Sequence, residues 1–311
     1  MTLWTTDEIN SVLKTKNTEP QIKISGISID TRTIKKGELF IPIEGRNFDG
    51  HDFIKEAFKN GATASLVNVK KKKTINFDGN FFFVKNTMKS LSILAEYSRK
   101  RIKNLVTICI TGSSGKTTLK EWIFKTFEGQ KISYCTFGNL NNQVGMPLTL
   151  VNMPKKTQLC ILELGMNSPG EINRLAKIAN PNISIITNIG SAHAGNFLNI
   201  NKIAEEKSQV FNYLDKNSIA IIPHDSKHHK LLYLKAAKKT KKIFSFGFNK
   251  DSNIRIIKNI KKNSWTFAFY DELLKINNKI SFICWAQNVA IILCLAKIFK
   301  IQMQKIIPII E

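Results

Sequence analysis

Residues 105 to 122 read LVTICITGSSGKTTLKEW, an apolar β-rich run that passes through Gly112, Ser113, Ser114 and Gly115 into a helical segment. Few architectures accommodate such a junction. A glycine turn between strand and helix leaves successive backbone N–H groups pointing at one spot ahead of a helix N-terminus, which makes a cradle for an anion. Lys116 then has the length to reach the β- and γ-phosphates of a nucleotide, and the Thr117 hydroxyl is placed to ligate Mg²⁺. Residues Gly112 to Thr118 are together expected to hold ATP. The strict pattern has four residues between its glycines and this chain has two, Ser113 and Ser114. An ordinary strand-to-helix turn is therefore the competing reading.

The runs LCILELG, ISIITNIG and SIAIIP follow, each leading into a loop and a helical segment. Strands that are apolar throughout and alternate with helices predict a mainly parallel sheet covered on both faces, an α/β fold. Ahead of it, residues 1–102 read as a smaller α/β domain. ISGISID, GELFIPI and TASLVNV are its strands, GHDFIKEAFKNGA is a helix closed by Gly61, and TMKSLSILAEYSRKRI is a long amphipathic helix. The glycine turn belongs to a second domain, 103–311, whose last stretch, WAQNVAIILCLAKIFKIQMQKIIPIIE, reads as one apolar helix and the start of another.

Composition narrows the function. The net charge is +24, which fits nucleic acid or anionic small substrates. Lysine far outnumbers arginine and the only dense run is Lys70 to Lys73 in a predicted loop, so a drift in composition is the simpler account and no nucleic-acid partner is expected. No stretch is long and apolar enough to span a membrane, and MTLWTTDEIN lacks the features of a secretory signal. Cys109, Cys135, Cys160, Cys284 and Cys294 are scattered without a CxxC pair, as in a reducing, cytoplasmic setting.

In a parallel sheet, ligands bind beyond the carboxyl ends of the strands. The second run ends in Glu163, a carboxylate inside apolar sequence that is costly unless paired or bound to a metal. The third run ends in Asn188 and His193. A lone histidine there is more often structural, but Thr117, Glu163 and His193 would share one sheet edge beside a triphosphate, where a second Mg²⁺ could sit. The next helical segment, IAEEKSQVF, places Lys207 on one apolar stripe with Ile203, Val210, Phe211 and Leu214, while Glu205, Glu206, Ser208, Gln209 and Asn212 take the other face. Snorkelling is the plain explanation for such a lysine.

The ordered motifs TGSSGKTTLKE, GNLNNQVGMPLTL, LELGMNSPGEI, ITNIGSAHAGNF and IAEEKSQVF, together with SIDTRTIKKGELFIPIEGRNFDGHDFI in the first domain, resemble the Mur ligase family of ATP-dependent amide-bond-forming enzymes of peptidoglycan synthesis. The branch that joins D-alanyl-D-alanine to a UDP-N-acetylmuramoyl tripeptide is the nearest match. NLNNQVGMP separates the chain from the sister branch that adds the third amino acid, where threonines are usual. The resemblance covers nearly the whole chain. It implies that Lys116, His193, Lys207 and Asn142 serve the reaction, that Thr117, Glu163, His193 and Lys207 hold Mg²⁺, and that Lys207 is carbamylated by CO₂. It implies a nucleotide contact at Asn288, and places Ser28, Thr31, Arg32, Arg46, Asp49, Gly50, His51, Asn139 and Asn141 about the UDP-linked substrate.

Two departures stand out. At the adenine-contacting helix Gln287 replaces the usual histidine and Ile291 the second asparagine. The family's third, Rossmann-like domain is not in this sequence, so the resemblance implies that the chain by itself binds substrate but forms little amide product, most simply as a monomer. A nucleotide- and UDP-sugar-binding remnant without turnover, and an unrelated P-loop protein, are the rival readings. The set Glu163, His193 and Lys207 argues against the latter.

Overall fold

The computed structural model describes residues 2–16, 21–45, 47–190, 197–259, 264–269, 272–276, 282–302 and 306–310. The chain forms two compact units, Met1–Lys103 with Val144–Lys156, and Asn104–Gln143 with Thr157–Glu311.

The first unit opens with β1 (Trp4–Thr5) and α1 (Thr6–Leu13), whose N-terminus carries a reciprocal capping box between Thr5 and Glu8. β2 (Lys23–Ile24) pairs antiparallel with β1. β3 (Gly26–Ser28), β4 (Glu38–Phe40), β5 (Ala64–Asn68) and β6 (Phe81–Val84) form a parallel sheet in that order. α2 (Ile54–Lys59) and α3 (Thr87–Lys100) accompany it, the latter capped by the Asn86 side chain. Phe40, Ile54, Ala57 and Val67 make its core, bordered by edge-to-face contacts among Phe58, Phe77 and Phe81. The lysine run at 70–73 lies in a short 3₁₀ helix, Val69–Thr74.

The second unit begins with β7 (Val106–Thr111), α4 (Lys116–Phe127) and β8 (Ser133–Cys135). α5 (Gly145–Val151) belongs to the first unit. Trp4 Nε1 donates to the Val151 carbonyl at 2.8 Å, and the Asn152 amide exchanges two 2.8 Å bonds with the Ile27 backbone. Then come β9 (Leu159–Glu163), α6 (Glu171–Ala179), β10 (Ile183–Ile186), α7 (Ile200–Ser208), β11 (Ile219–Pro223) and α8 (His229–Ala237). β12 (Lys242–Gly247), β13 (Ile254–Asn259), β14 (Ser264–Phe269), β15 (Glu272–Ile276), α9 (Ile283–Phe299) and α10 (Ile307–Ile310) complete it.

Nine strands make one sheet, in the order β15-β14-β13-β12-β11-β10-β7-β9-β8. The pairs from β13 to β8 are parallel, and β14 and β15 extend that edge antiparallel. Ile108 and Ile110 of β7 join the cluster formed with Leu119 and Ile123 of α4 and Val289 and Leu293 of α9. Thr107 and Cys109 alternate onto the opposite face and are equally buried. Both faces are therefore covered, which is why these strands read as continuous apolar runs. α9 is apolar nearly all round because it is buried nearly all round. Among the described residues no helix is long and apolar enough to cross a membrane.

β10, β7 and β9 are consecutive neighbours, with Thr111 opposite Ile186 and Ile110 opposite Glu163. Their carboxyl ends therefore deliver three loops to one place.

Candidate functional site

At the end of β7 the turn needs its glycines. Gly112 has φ 151° and a Cβ there would lie 1.9 Å from Thr187 Oγ1; Gly115 has φ 79° and opens α4. The residues after β10 brace the turn. Asn188 Oδ1 accepts from the Ser113 and Ser114 amides at 3.1 and 2.9 Å, and Thr187 Oγ1 donates to the Ser114 carbonyl at 2.7 Å. Ser113 Oγ donates to the Gly190 carbonyl and accepts from its amide. The first turn of α4 directs amides without intrahelical acceptors, and the positive end of the helix dipole, out of this turn. Thr118 is exposed beside Thr117 in that turn. Asn288 of α9 is buried and donates to the Gly115 carbonyl at 3.2 Å, so it supports the loop.

Two lysine amines meet at one acceptor. Lys116 Nζ and Lys207 Nζ each donate to the Gly112 carbonyl at 3.0 Å. Burial lowers the Lys116 pKa, opposed by the Glu163 carboxylate. Lys207 is 2 % exposed; burial first, then the neighbouring Lys116 charge, push its pKa down to about 7. Glu163 is also 2 % exposed. Its Oε2 accepts from Thr117 Oγ1 and its Oε1 from Asn141 Nδ2, both at 2.8 Å. The site thus combines amide donors, two lysine amines and a fixed carboxylate. Asn139 and Asn142 lie exposed on the same loop as Asn141. His193 lies outside the described residues, and among those described no cluster of three or more His, Cys, Asp or Glu forms a metal centre. The Thr117 hydroxyl and the Glu163 carboxylate are hard oxygen donors of the kind Mg²⁺ takes alongside phosphate oxygens.

The helix carrying Lys207 differs from expectation on one point. Ile203, Lys207, Val210, Phe211 and Leu214 are buried as the stripe predicts, but so are Glu206 and Ser208. Glu206 accepts from the Gly170 and Ile172 amides at 2.8 and 2.9 Å, capping α6, and Ser208 Oγ donates to the Glu205 carbonyl. A second helix end covers the face that periodicity assigned to solvent, and its unpaired amides take a carboxylate.

A pH dependence follows from Lys207. Its folded pKa is near 7 and its ordinary value 10.5. Between these the unfolded chain holds the extra proton, so stability should rise with pH across the window and be level, for this group, outside it. Urea midpoints measured from about pH 6.5 to 9.5 in CO₂-free buffer are expected to climb more steeply for the wild type than for Lys207→Met. Equal slopes would show that the amine is not held in this environment.

In the first unit, Thr31, Arg32 and Gly50 line a cavity of about 490 Å³, with Phe48 and Phe53 at its exposed rim. Thr31 Oγ1 donates to Glu56 at 2.8 Å, and Arg32 makes a two-point ion pair with Asp30. Ser28 Oγ supports the turn at Asp30. Asp49 and His51 stand apart from the cavity lining. Their ring-to-carboxylate contact is 2.6 Å, and His51 Nε2 accepts from the Asn68 amide, which leaves the ring proton on Nδ1 facing Asp49. Burial alone would raise the Asp49 pKa, but bonds from the His51 backbone and ring and from Lys71 outweigh it and hold it at about 2. Arg46 lies outside the described residues.

Comparison with known proteins places this geometry. Residues 110–296 match the Mur ligase middle domain, and residues 23–100 match the Mur ligase family, catalytic domain. The chain belongs to the Mur ligase family. The UDP-N-acetylmuramoyl-tripeptide–D-alanyl-D-alanine ligase of Rickettsia prowazekii is 36% identical over 237 residues, 76% of this chain and 52% of that protein. The Bacillus subtilis ligase of the same name is 37% identical over 65% of this chain and 44% of its own length. The chain spans about half the length of the curated relatives it matches. A MurF structure from Acinetobacter baumannii superposes with a TM-score of 0.87 at 26% identity, covering 99% of this chain and 68% of that one. A MurF ligase from Thermotoga maritima, solved in complex with ADP, gives 0.75 at 28% identity over 89% and 64%. The Mur ligase fold is thus established for both units.

Two site features escaped the sequence. Asn188 was visible as the residue after a strand, but nothing in sequence says that its amide would span two turn amides of another loop. Lys120 was legible in principle. It shares an apolar stripe with Ile123 and Phe127, the same irregularity that marks Lys207.

Proposed function

We propose that the chain acts in an ATP-dependent ligase that joins D-alanyl-D-alanine to a UDP-N-acetylmuramoyl tripeptide through an acyl phosphate. The observation that carries this reading is the Glu163 carboxylate, held by Thr117 and Asn141 at the mouth of a glycine turn that also gathers Lys116 and Lys207. The names of the relatives support the choice of substrates.

In this reading the amides of the Gly112–Thr118 turn and Lys116 Nζ bind the ATP phosphates and offset the charge that develops on the γ-phosphoryl group. The bond from the γ-phosphorus to ADP breaks as one forms to the tripeptide's terminal carboxylate oxygen. The D-alanyl amine then attacks the acyl carbon, inorganic phosphate leaves, and the amine loses a proton. Thr117 and Glu163 would hold Mg²⁺, which supplies charge neutralisation between β- and γ-phosphates when bound. His193 and a carbamylated Lys207 complete the metal set in the family resemblance. A buried amine with a pKa near 7 is available in the neutral form that CO₂ requires. The cavity lined by Thr31, Arg32 and Gly50 takes the uridine end, and Asn139 and Asn142 face the muramoyl peptide. ATP and a UDP-linked precursor place the reaction in the cytoplasm.

The test uses ATP labelled with ¹⁸O at the β,γ-bridge. Reversible acyl-phosphate formation scrambles that label only when UDP-N-acetylmuramoyl tripeptide is present, and needs no amine. Tripeptide-dependent scrambling is the expected result. Scrambling that is absent, or indifferent to the tripeptide, would overturn the reading.

A further inference from the structure

Lys120 is fully buried, although nothing in the chemistry above uses it. Its Nζ donates to the Thr136 carbonyl at 2.7 Å and reaches the Gly138 carbonyl at 3.4 Å, with Glu121 Oε1 at 2.9 Å. An ammonium taken out of water is costly unless its donors are matched, and here all three partners lie on α4 or on the segment that follows β8. That segment leads into the asparagine loop. Thr136 Oγ1 accepts from the Glu163 amide at 3.1 Å, the Asn141 carbonyl accepts from the Gly165 amide at 2.8 Å, and Asn141 Nδ2 donates to the Glu163 carboxylate. Thr117 and Lys120 are three residues apart on α4, hence on one face. Thr117 reaches Glu163 directly, and Lys120 reaches it through the loop.

We infer that Lys120 is a positioning residue: its ammonium clamps the Thr136 and Gly138 carbonyls to α4 and so sets the Asn141 amide against Glu163. The alternative is a buried lysine that only fills the core between α4 and β8. A filler would contribute to stability and leave the carboxylate indifferent to its removal. Lys120→Met keeps the volume and removes the donors, which makes the two roles separable.

The experiment has two arms. In the ligand-free chain, amide hydrogen exchange at Asn141 and Gly165 is expected to quicken at least tenfold in Lys120→Met, while the amides of β7 and β10 keep their protection. The second arm, which rests on the ligase reading, compares ATP affinity with and without Mg²⁺. Lys120→Met and Asn141→Ala are each expected to lose about tenfold in the presence of Mg²⁺ and less than twofold in its absence, and the double variant to lose no more than either. Unchanged exchange at Asn141 and Gly165 would overturn the clamp. So would equal losses with and without Mg²⁺, or losses that multiply in the double variant. If the wild type itself binds no MgATP, the ligase reading falls, and the exchange arm still decides the role of Lys120.

Discussion

Lys116→Ala should lower the affinity for MgATP by roughly 100-fold or more, about 2.7 kcal/mol. Charge-assisted hydrogen bonds are worth about 1.5–3 kcal/mol each, and a lysine at the start of α4 has two phosphate groups within its reach. The folded chain should not suffer. Lys116 is held partly out of water beside a second ammonium on the same carbonyl, so its removal relieves one like-charge contact. Calorimetry on the two proteins, with thermal unfolding as the control, makes the comparison. Equal affinities would remove the glycine turn from nucleotide binding altogether.

Glu163→Gln should separate metal from nucleotide. The substituted amide has the same shape and can still accept from Asn141 and meet the Thr117 hydroxyl, so the packing at the end of β9 is retained. Only the charge is lost. A buried carboxylate is costly to keep, but this one also offsets the buried Lys116 charge, so the two effects oppose each other and the variant should melt close to the wild-type temperature. Binding of ATP in EDTA should be unchanged within about twofold. The gain on adding Mg²⁺ should shrink by roughly one to two orders of magnitude, because one carboxylate is a large share of the protein's contribution to a Mg²⁺ shell otherwise made of water and phosphate. Label scrambling in ATP should fall by about 10³-fold or more, the scale seen when a group acting on developing charge is removed. A variant whose Mg²⁺ titration overlays the wild type would show that Glu163 holds no ion.

The sequence was most informative where local chemistry and topology coincide. The glycine turn could be read because strand, turn and helix are contiguous, and Glu163 because a carboxylate in an apolar run has to be explained. Lys207 was flagged by one residue out of place on a helical stripe. The contacts that give these groups their geometry were not legible, because they join loops from different strands. Asn188 on the Ser113 and Ser114 amides, and Asn288 on the Gly115 carbonyl, depend on β10 neighbouring β7 and on α9 packing against α4. The burial of Glu206 depends on the N-terminus of α6. The extension from β12 to β15 also went unread. β13 and β15 mix buried with exposed residues and β14 mixes buried with half-buried ones, with polar residues interspersed, where β7, β9 and β10 are buried almost from end to end.

The return of residues Val144–Lys156 to the first unit bears on how the chain is made. Trp4 and Ile27 are synthesised more than a hundred residues before Val151 and Asn152, and wait for them before their polar groups are matched. By then β7, α4 and β8 have already emerged. The first unit therefore cannot finish folding before the second has begun, and the excursion Asn104–Gln143 is a loop that must close at an entropic cost growing slowly with its length. Contacts that distant in sequence slow folding, and a chain interrupted between Lys103 and Val144 would leave its N-terminal unit without the helix that completes it.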